Sequence, residues 1–337
     1  MKPQKVFLYL EFKNLGLGGA YTSYKNQKKM LDILGIPYCE SWDNSAEIFQ
    51  SNSAWLKSLY YIWKARRHDM KVIIWGHSTA EDVRGFFRSK LFDRLTVSFM
   101  QRYFKYVYGL ADMVLCPTPY THGILERYGL PHEKLVVQSN GVDTNIFYPD
   151  PEKRAACRAE FNLGGLVIGT VAIVIPRKGV DTFLMLAKKF SDNQCVWFGK
   201  IFHGALVKPL PKNLPKNTQF TGHMSNANIQ AAFNALDIFL FPSYEENQGM
   251  AILEAAAIGL PIIVRDLPVY EGWLKNGSNC LKAKTDDEFT TCLEQLTANE
   301  ALRKQLGANA RLLAADESLE PLALRFKDIY SRLTREL

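Results

Sequence analysis

The sequence predicts an α/β protein made of two βαβ domains, and three observations carry that expectation. Apolar runs of strand length alternate with helical stretches along the chain, instead of pairing through tight hairpin turns. At 337 residues the chain exceeds one ordinary domain. Around residues 145–165 the texture changes: FYPDPEKRAACRAEFNLGG carries two prolines, clustered charge and a glycine pair before the alternation restarts.

In the first half the strand VFLYLEF leads through the turn NLGLGG into a helical run, AYTSYKNQKKMLDILG, that ends at Gly35. Further strands are read in KVIIWGH, which is followed by polar HSTAED, and in ADMVLCPT and KLVVQSNGVD. The second half offers LVIGTVAIV, QCVWFG, TQFTG and DIFLFPS, with helical runs between them. The expected division is 1–150, 151–317, and an amphipathic helix at 318–337 that packs back on the first domain.

Apolar residues at 47% and charged residues at 22% describe a globular chain with a sizeable core. The six cysteines form no CxxC pair and no metal-ligand spacing with histidine, which points to a reducing compartment. MKPQKVFLYLEF has no small-residue cleavage site, and no window approaches 18 uninterrupted apolar residues, so neither a signal peptide nor a spanning helix is expected. The net charge of +7 resides in residues 55–108, which hold eleven Lys/Arg against four Asp/Glu and 13 of the 41 aromatics. A basic, aromatic segment on an otherwise neutral protein suits an anionic surface. Snorkelling side chains on an ordinary domain face would give the same composition.

The stretch YEENQGMAILEAAAIGLPII follows the strand DIFLFPS, so residues 244–248 form the loop at its carboxyl end and a helix starts near Gly249. Ligands of open α/β sheets collect beyond strand carboxyl ends, against helix N-termini. Gly249 lets a ligand approach the backbone, and the amides of the first turn suit a phosphate. Glu246 in the loop and Glu254 one turn into the helix then meet one ligand from two sides. Carboxylates only accept hydrogen bonds, and hydroxyl pairs are their natural partners. A molecule with a diphosphate in its middle and sugar hydroxyls at both ends fits. An alanine-rich helix with one exposed glutamate is the plainer reading.

This stretch resembles the E-x7-E signature of retaining GT-B glycosyltransferases, specifically glycosyltransferase family 4, and FTGHMS, GLPIIVRDLP and NGVDTNIFYP fit the same family. The resemblance spans the second domain almost throughout and the first more thinly. It implies two Rossmann-like domains facing across a cleft, with Glu254 on the ribose hydroxyls and Glu246 on a hydroxyl of the donor sugar. Gly249 and Met250 would meet the sugar and diphosphate through main-chain groups, and His223 and Met224, after Gly222, the base. Lys178, in IPRKGVD, matches the family's phosphate-binding lysine. The arginine usual five positions earlier is Ile173 here, and Arg177 is expected to supply its charge. In the first domain Gly18 and Gly19 resemble the glycine pair near the diphosphate, and His77 the histidine facing the donor sugar. Glu246, Lys178 and His77 are the residues expected to carry the chemistry, with no cofactor and no metal.

The first domain selects the acceptor in this family. SAWLKSLYYIWKARR sets Trp55 and Trp63 among Arg66, Arg67 and lysines, and FFRSKLFDRLTVSFMQRYFKYVYG sets apolar residues at helical steps among Arg88, Lys90 and Arg94. Such helices suit the interfacial zone of an anionic bilayer. The arrangement is similar to bacterial glycolipid synthases of the family. It implies transfer of glucose or galactose from a UDP-sugar to a glycolipid such as monoglucosyl diacylglycerol, by a peripheral enzyme at the cytoplasmic face of the membrane. A soluble or polysaccharide-precursor acceptor, a DNA-modifying glucosyltransferase, and a sugar-nucleotide epimerase or sensor are the other readings. A nucleic-acid partner is not the expectation.

Overall fold

The computed structural model describes residues 5–13, 18–83, 90–201, 210–225 and 228–335. The chain divides into two compact units, Val142–Asp316 and the remainder, so that the last helix belongs with the first unit.

The first unit holds a six-stranded sheet, parallel throughout, of β1 (Val6–Tyr9), β2 (Tyr38–Cys39), β3 (Ile48–Ser51), β4 (Lys71–Trp75), β5 (Met113–Cys116) and β6 (Leu135–Val137). Their order is β2-β1-β3-β4-β5-β6, so the winding reverses between β1 and β3. Helices α2 (Leu56–Arg67), α3 (Lys90–Gly109) and α4 (Pro119–Arg127) cover one face, closing a core around Phe49, Ile62, Ile74 and Phe104. Helices α1 (Gly19–Leu34) and α11 (Leu319–Arg335) cover the other, with Met30, Trp75, Leu322 and Phe326 at its centre. At Gly141, φ +70, a side chain would run into Leu322, so the chain passes α11 at a point only glycine permits.

The helix read from AYTSYKNQKKMLDILG ends as expected, with Gly35 in the left-handed conformation that closes its last turn. Two strands lie between the runs read from the sequence and were not expected: β2, only two residues long, and β3. The pattern IFQS hides β3, because Gln50 and Ser51 are fully buried polar residues engaged in hydrogen bonds. The strand read from VFLYLEF is shorter than its apolar run. The chain turns at Phe12, φ 64, and the Glu11 carboxylate accepts hydrogen bonds from the amide (2.9 Å) and hydroxyl (3.0 Å) of Ser58 in the first turn of α2.

The second unit repeats the plan with β7 (Val167–Val171), β8 (Gln194–Phe198), β9 (Thr218–Gly222), β10 (Ile238–Phe241), β11 (Ile262–Arg265) and β12 (Leu281–Ala283), again all parallel. The order β12-β11-β10-β7-β8-β9 places the reversal between β7 and β10. One face is packed by α6 (Val180–Lys189) and α9 (Asp286–Ala298) around Phe183, Trp197 and Leu293. Helix α8 (Met250–Ile258) is buried along nearly its whole length, which its alanines allow. At Gly307 of α10 (Glu300–Asp316) a Cβ would lie 2.1 Å from the Gly259 carbonyl oxygen, so glycine sets that crossing. The Pro-rich, charged stretch near 150 becomes α5 (Pro151–Glu160), capped by Asp150 and fixed by Arg154 and Arg158 on the Asp237 carboxylate.

Candidate active site

In the second unit, the loops leaving β7 and β10 lie side by side because those strands are neighbours at the reversal point of the sheet. The β7 loop carries Arg177 and Lys178, and the β10 loop carries Ser243, Glu245 and Glu246. Gly179, φ +80, locks the two together: a Cβ there would lie 2.3 Å from the Pro242 carbonyl oxygen. The Tyr244 amide donates to the Arg177 carbonyl at 2.8 Å.

These contacts bring the Lys178 ammonium onto Glu246 Oε1, which also accepts the Ser243 hydroxyl at 2.6 Å. Arg177 Nη1 donates to the Glu245 carbonyl at 2.5 Å. Burial by itself would raise the pKa of Glu246. The charges of Lys178 and Arg177, with the hydrogen bonds of Lys178 and Ser243, overcome that and hold it below the usual carboxylate range. Glu246 is therefore an ionised carboxylate in a nearly buried setting (7% exposed).

Gly249, φ +87, starts α8, and Met250 is its first residue; Glu254 lies one turn in and is equally buried. Near Gly249 the Tyr270 hydroxyl is fully buried and has no hydrogen-bond partner among the described residues. Gly222, φ +81, ends β9, and its carbonyl accepts the Gly199 amide at 2.9 Å. His223, exposed, and Met224, buried, follow it. The second unit's share of the residues expected at the donor end thus stands beyond the carboxyl ends of β7, β9 and β10 of one sheet.

In the first unit Gly18, φ +80, precedes α1, and Gly19 is its first residue. His77 follows β4 and stacks on Trp75, ring centroids 5.4 Å apart at 14°. Its Nε2 lies 3.3 Å from Asn52 Oδ1. Asn52 turns its amide nitrogen to the Tyr9 carbonyl and its oxygen to Gln27 Nε2, so this contact requires the proton on His77 Nε2. Loss of solvation inside the protein lowers the His77 pKa to about 3, and the ring is neutral at physiological pH. Gln50 links Gln27 to the Tyr330 hydroxyl of α11 at 2.7 and 2.6 Å.

Of the acceptor-side residues, Trp55 precedes α2 rather than lying within it, and its ring stacks on Tyr103. Trp63 is exposed on α2, with Leu56 and Tyr60, whereas Leu59 and Ile62 of the same run are buried. Arg66 Nη1 donates to the Leu110 carbonyl at 2.6 Å, and Arg67 and Arg94 are exposed. Arg88 and the side chain of Lys90 fall outside the described residues. Helix α3 exposes Leu91, Phe92, Leu95 and Phe99 and continues into Arg102 and Lys105. These two cations, with Glu81, Gln101, Arg127 and Tyr128, line a cavity of about 300 Å³. No described helix is long and apolar enough to cross a membrane.

Sequence reasoning passed over Arg265. This nearly buried arginine donates to the Pro242 and Lys284 carbonyls and to Thr182, and its guanidinium lies 4.1 Å from the centre of the Tyr244 ring, propping the β10 loop. Its place at the end of the run IIVR was the available signal. Asn52 and Gln27 were missed too, since single amides carry no pattern.

Two compact units, each built on a six-stranded parallel sheet, match the GT-B class of glycosyltransferase fold. Residues 156–313 match the family described as glycosyl transferases group 1, and residues 43–146 match Glycosyltransferase Family 4. A processive diacylglycerol alpha-glucosyltransferase of Acholeplasma laidlawii is 30% identical over 98% of this chain and 99% of its own. The chain belongs to glycosyltransferase family 4 and is a glycosyltransferase. An alpha-galactosylglucosyldiacylglycerol synthase of Streptococcus pneumoniae is 28% identical over 69% of this chain and 64% of its own. In fold the chain is similar to Anabaena HepE, solved in complex with UDP and glucose (TM-score 0.76, 14% identity, 98% of this chain and 100% of that one). It is similar also to the sucrose-phosphate synthase of Thermosynechococcus elongatus (TM-score 0.77, 15% identity, 99% and 100%).

Proposed function

We propose that this enzyme transfers a hexose, glucose or galactose, from a UDP-sugar to a membrane glycolipid such as monoglucosyl diacylglycerol, with retention at the anomeric carbon. The donor half is supported by the pairing of Lys178 with Glu246 where β7 and β10 diverge, together with the UDP and glucose found in HepE. The acceptor half is carried by the exposed apolar and cationic residues of α2 and α3 on the unit that selects acceptors in this family. Relatives named for diacylglycerol glycolipids support it.

In this reading the bond between the anomeric carbon and the diphosphate oxygen breaks as the acceptor hydroxyl oxygen bonds to that carbon on the same face. The acceptor proton passes to the departing phosphate oxygen. Lys178, Arg177 and the first amides of α8 stabilise the charge that develops on the diphosphate, the kind of preorganised electrostatics that often dominates catalysis. Glu254 receives the ribose hydroxyls and Glu246 a sugar hydroxyl. No metal takes part, so turnover per folded molecule survives a chelator. Arg177→Ala is expected to raise KM for the donor about tenfold, the effect of one charge-assisted contact; unchanged donor affinity and turnover remove Arg177 from the site.

The deciding experiment is product analysis with labelled UDP-glucose and UDP-galactose. Acceptors are monoglucosyl diacylglycerol in vesicles, with and without anionic phospholipid, and soluble oligosaccharides. Glycolipid product that rises with anionic lipid is expected. Transfer to a soluble sugar alone, indifferent to vesicles, overturns the acceptor assignment.

A further inference from the structure

Three metal-ligating side chains meet in the first unit, on residues that the transfer reaction does not use. His122 and Glu126 stand one turn apart on the same face of α4. His132 returns to them from the short helical turn His132–Lys134 that leads into β6. Glu126 Oε2 lies 3.5 Å from His122 Nδ1, and Glu126 Oε1 lies 2.5 Å from His132 Nδ1. The two imidazole rings are 5.0 Å apart at 74°, and one ligand atom from each of the three residues falls within 4.8 Å of the others.

The geometry points to a binding site for one divalent transition-metal ion of the zinc class, held by His122 Nδ1, Glu126 and His132 Nδ1. Ligand bonds of about 2.0–2.2 Å in a tetrahedron put neighbouring ligand atoms roughly 3.4 Å apart. The His122–Glu126 spacing already meets this. His132 must withdraw by about 1 Å from its hydrogen bond to open the same spacing, and its side chain, 79% exposed, has room to do so. Two imidazoles and one carboxylate select zinc, cobalt, nickel or copper over magnesium and calcium, which prefer all-oxygen sets.

The backbone under the site is held by hydrogen bonds on both sides. The His122 amide donates to the Thr118 carbonyl at 3.1 Å, and Lys134 Nζ donates to the Ala111 carbonyl at 2.9 Å, so both sides of the site are anchored. Gly129, φ +85, makes the turn between them, and Pro131 fixes the chain just before His132. A bound ion would tie the end of α4 to the start of β6, a staple on the first unit that takes no part in sugar transfer.

The test uses the full-length protein, stripped of metal with a chelator and dialysed. Calorimetric titration with Zn²⁺, and with Co²⁺ followed by visible absorption, is expected to give one equivalent bound. His132→Ala and Glu126→Gln each weaken binding at least tenfold, while His68→Ala, a change at an exposed histidine elsewhere, leaves it intact. Zn²⁺ raises Tm in wild type and not in His132→Ala, as follows when an ion binds only the folded state. Equal binding in wild type and His132→Ala, or no binding to wild type, overturns the site. His132 is exposed, so its loss leaves folding intact, and circular dichroism of the variant verifies this.

Discussion

Glu246 keeps its charge, though buried, through two cations and a hydroxyl. Glu246→Gln keeps the shape and removes the charge. It is expected to lower kcat/KM for the donor by about tenfold to a hundredfold, the worth of one hydrogen bond to a charged group, read in steady-state kinetics. His77 gives a separate, pH-dependent expectation. Its folded pKa, about 3, lies below the ordinary histidine value, so protonation favours the unfolded chain. The stability it protects is complete above the ordinary histidine range and is lost as pH falls from there towards the folded value. The loss approaches about 1.4 kcal/mol per pH unit. Denaturant melts at stepped pH are expected to show this slope in wild type and a flatter one in His77→Gln. At this scale the sequence offered candidate residues for the donor end but not how they are held. Lys178 and Glu246 are 68 positions apart, and nothing local announces that they share an ion pair. Asn52 and Gln27 were invisible because their role exists only once β3, α1 and β4 are side by side.

Among the elements, α11 shows a surface pattern with a structural purpose. Its apolar face fills the first unit's core, and Phe326 lies 6.1 Å from the Trp75 ring on which His77 stacks. Phe326→Ala is expected to cost about 3–5 kcal/mol, since it opens a cavity in a fully buried position, and to disturb the His77 side chain through Trp75. Chemical denaturation and the histidine resonances in an NMR spectrum measure the two effects. The amphipathic helix at 318–337 and its return to the first domain were legible, but the face of α1 it covers was not, because that face comes from the other end of the chain. Strands β7, β8 and β10 were legible as apolar runs, as was α1 from its terminal glycine. Strand β3 was not, since its buried side chains are half polar and follow the needs of the site.

Over the whole molecule, the excess charge of +7 is confined to a segment that folds largely into α2, β4 and α3. The exposed leucines of α3 lie on the same helix as Arg94, Arg102 and Lys105. Leu91→Ser with Leu95→Ser is expected to leave Tm nearly unchanged, as exposed substitutions do, and to weaken sedimentation with anionic liposomes roughly tenfold or more. Added salt weakens wild-type binding in the same assay, because charge pairing at a surface is screened. Undiminished binding by the double variant would remove α3 from the membrane contact. The sequence by itself determined the class of fold and the family, since strand length, helix punctuation and the spacing of Glu246 and Glu254 are local and periodic properties of the chain. Only the tertiary structure decided which loops become neighbours, which side chains of the first unit the last helix packs against, and how Glu246 remains ionised while buried. Those outcomes depend on strand order and on contacts between distant residues, and a linear pattern does not encode either one.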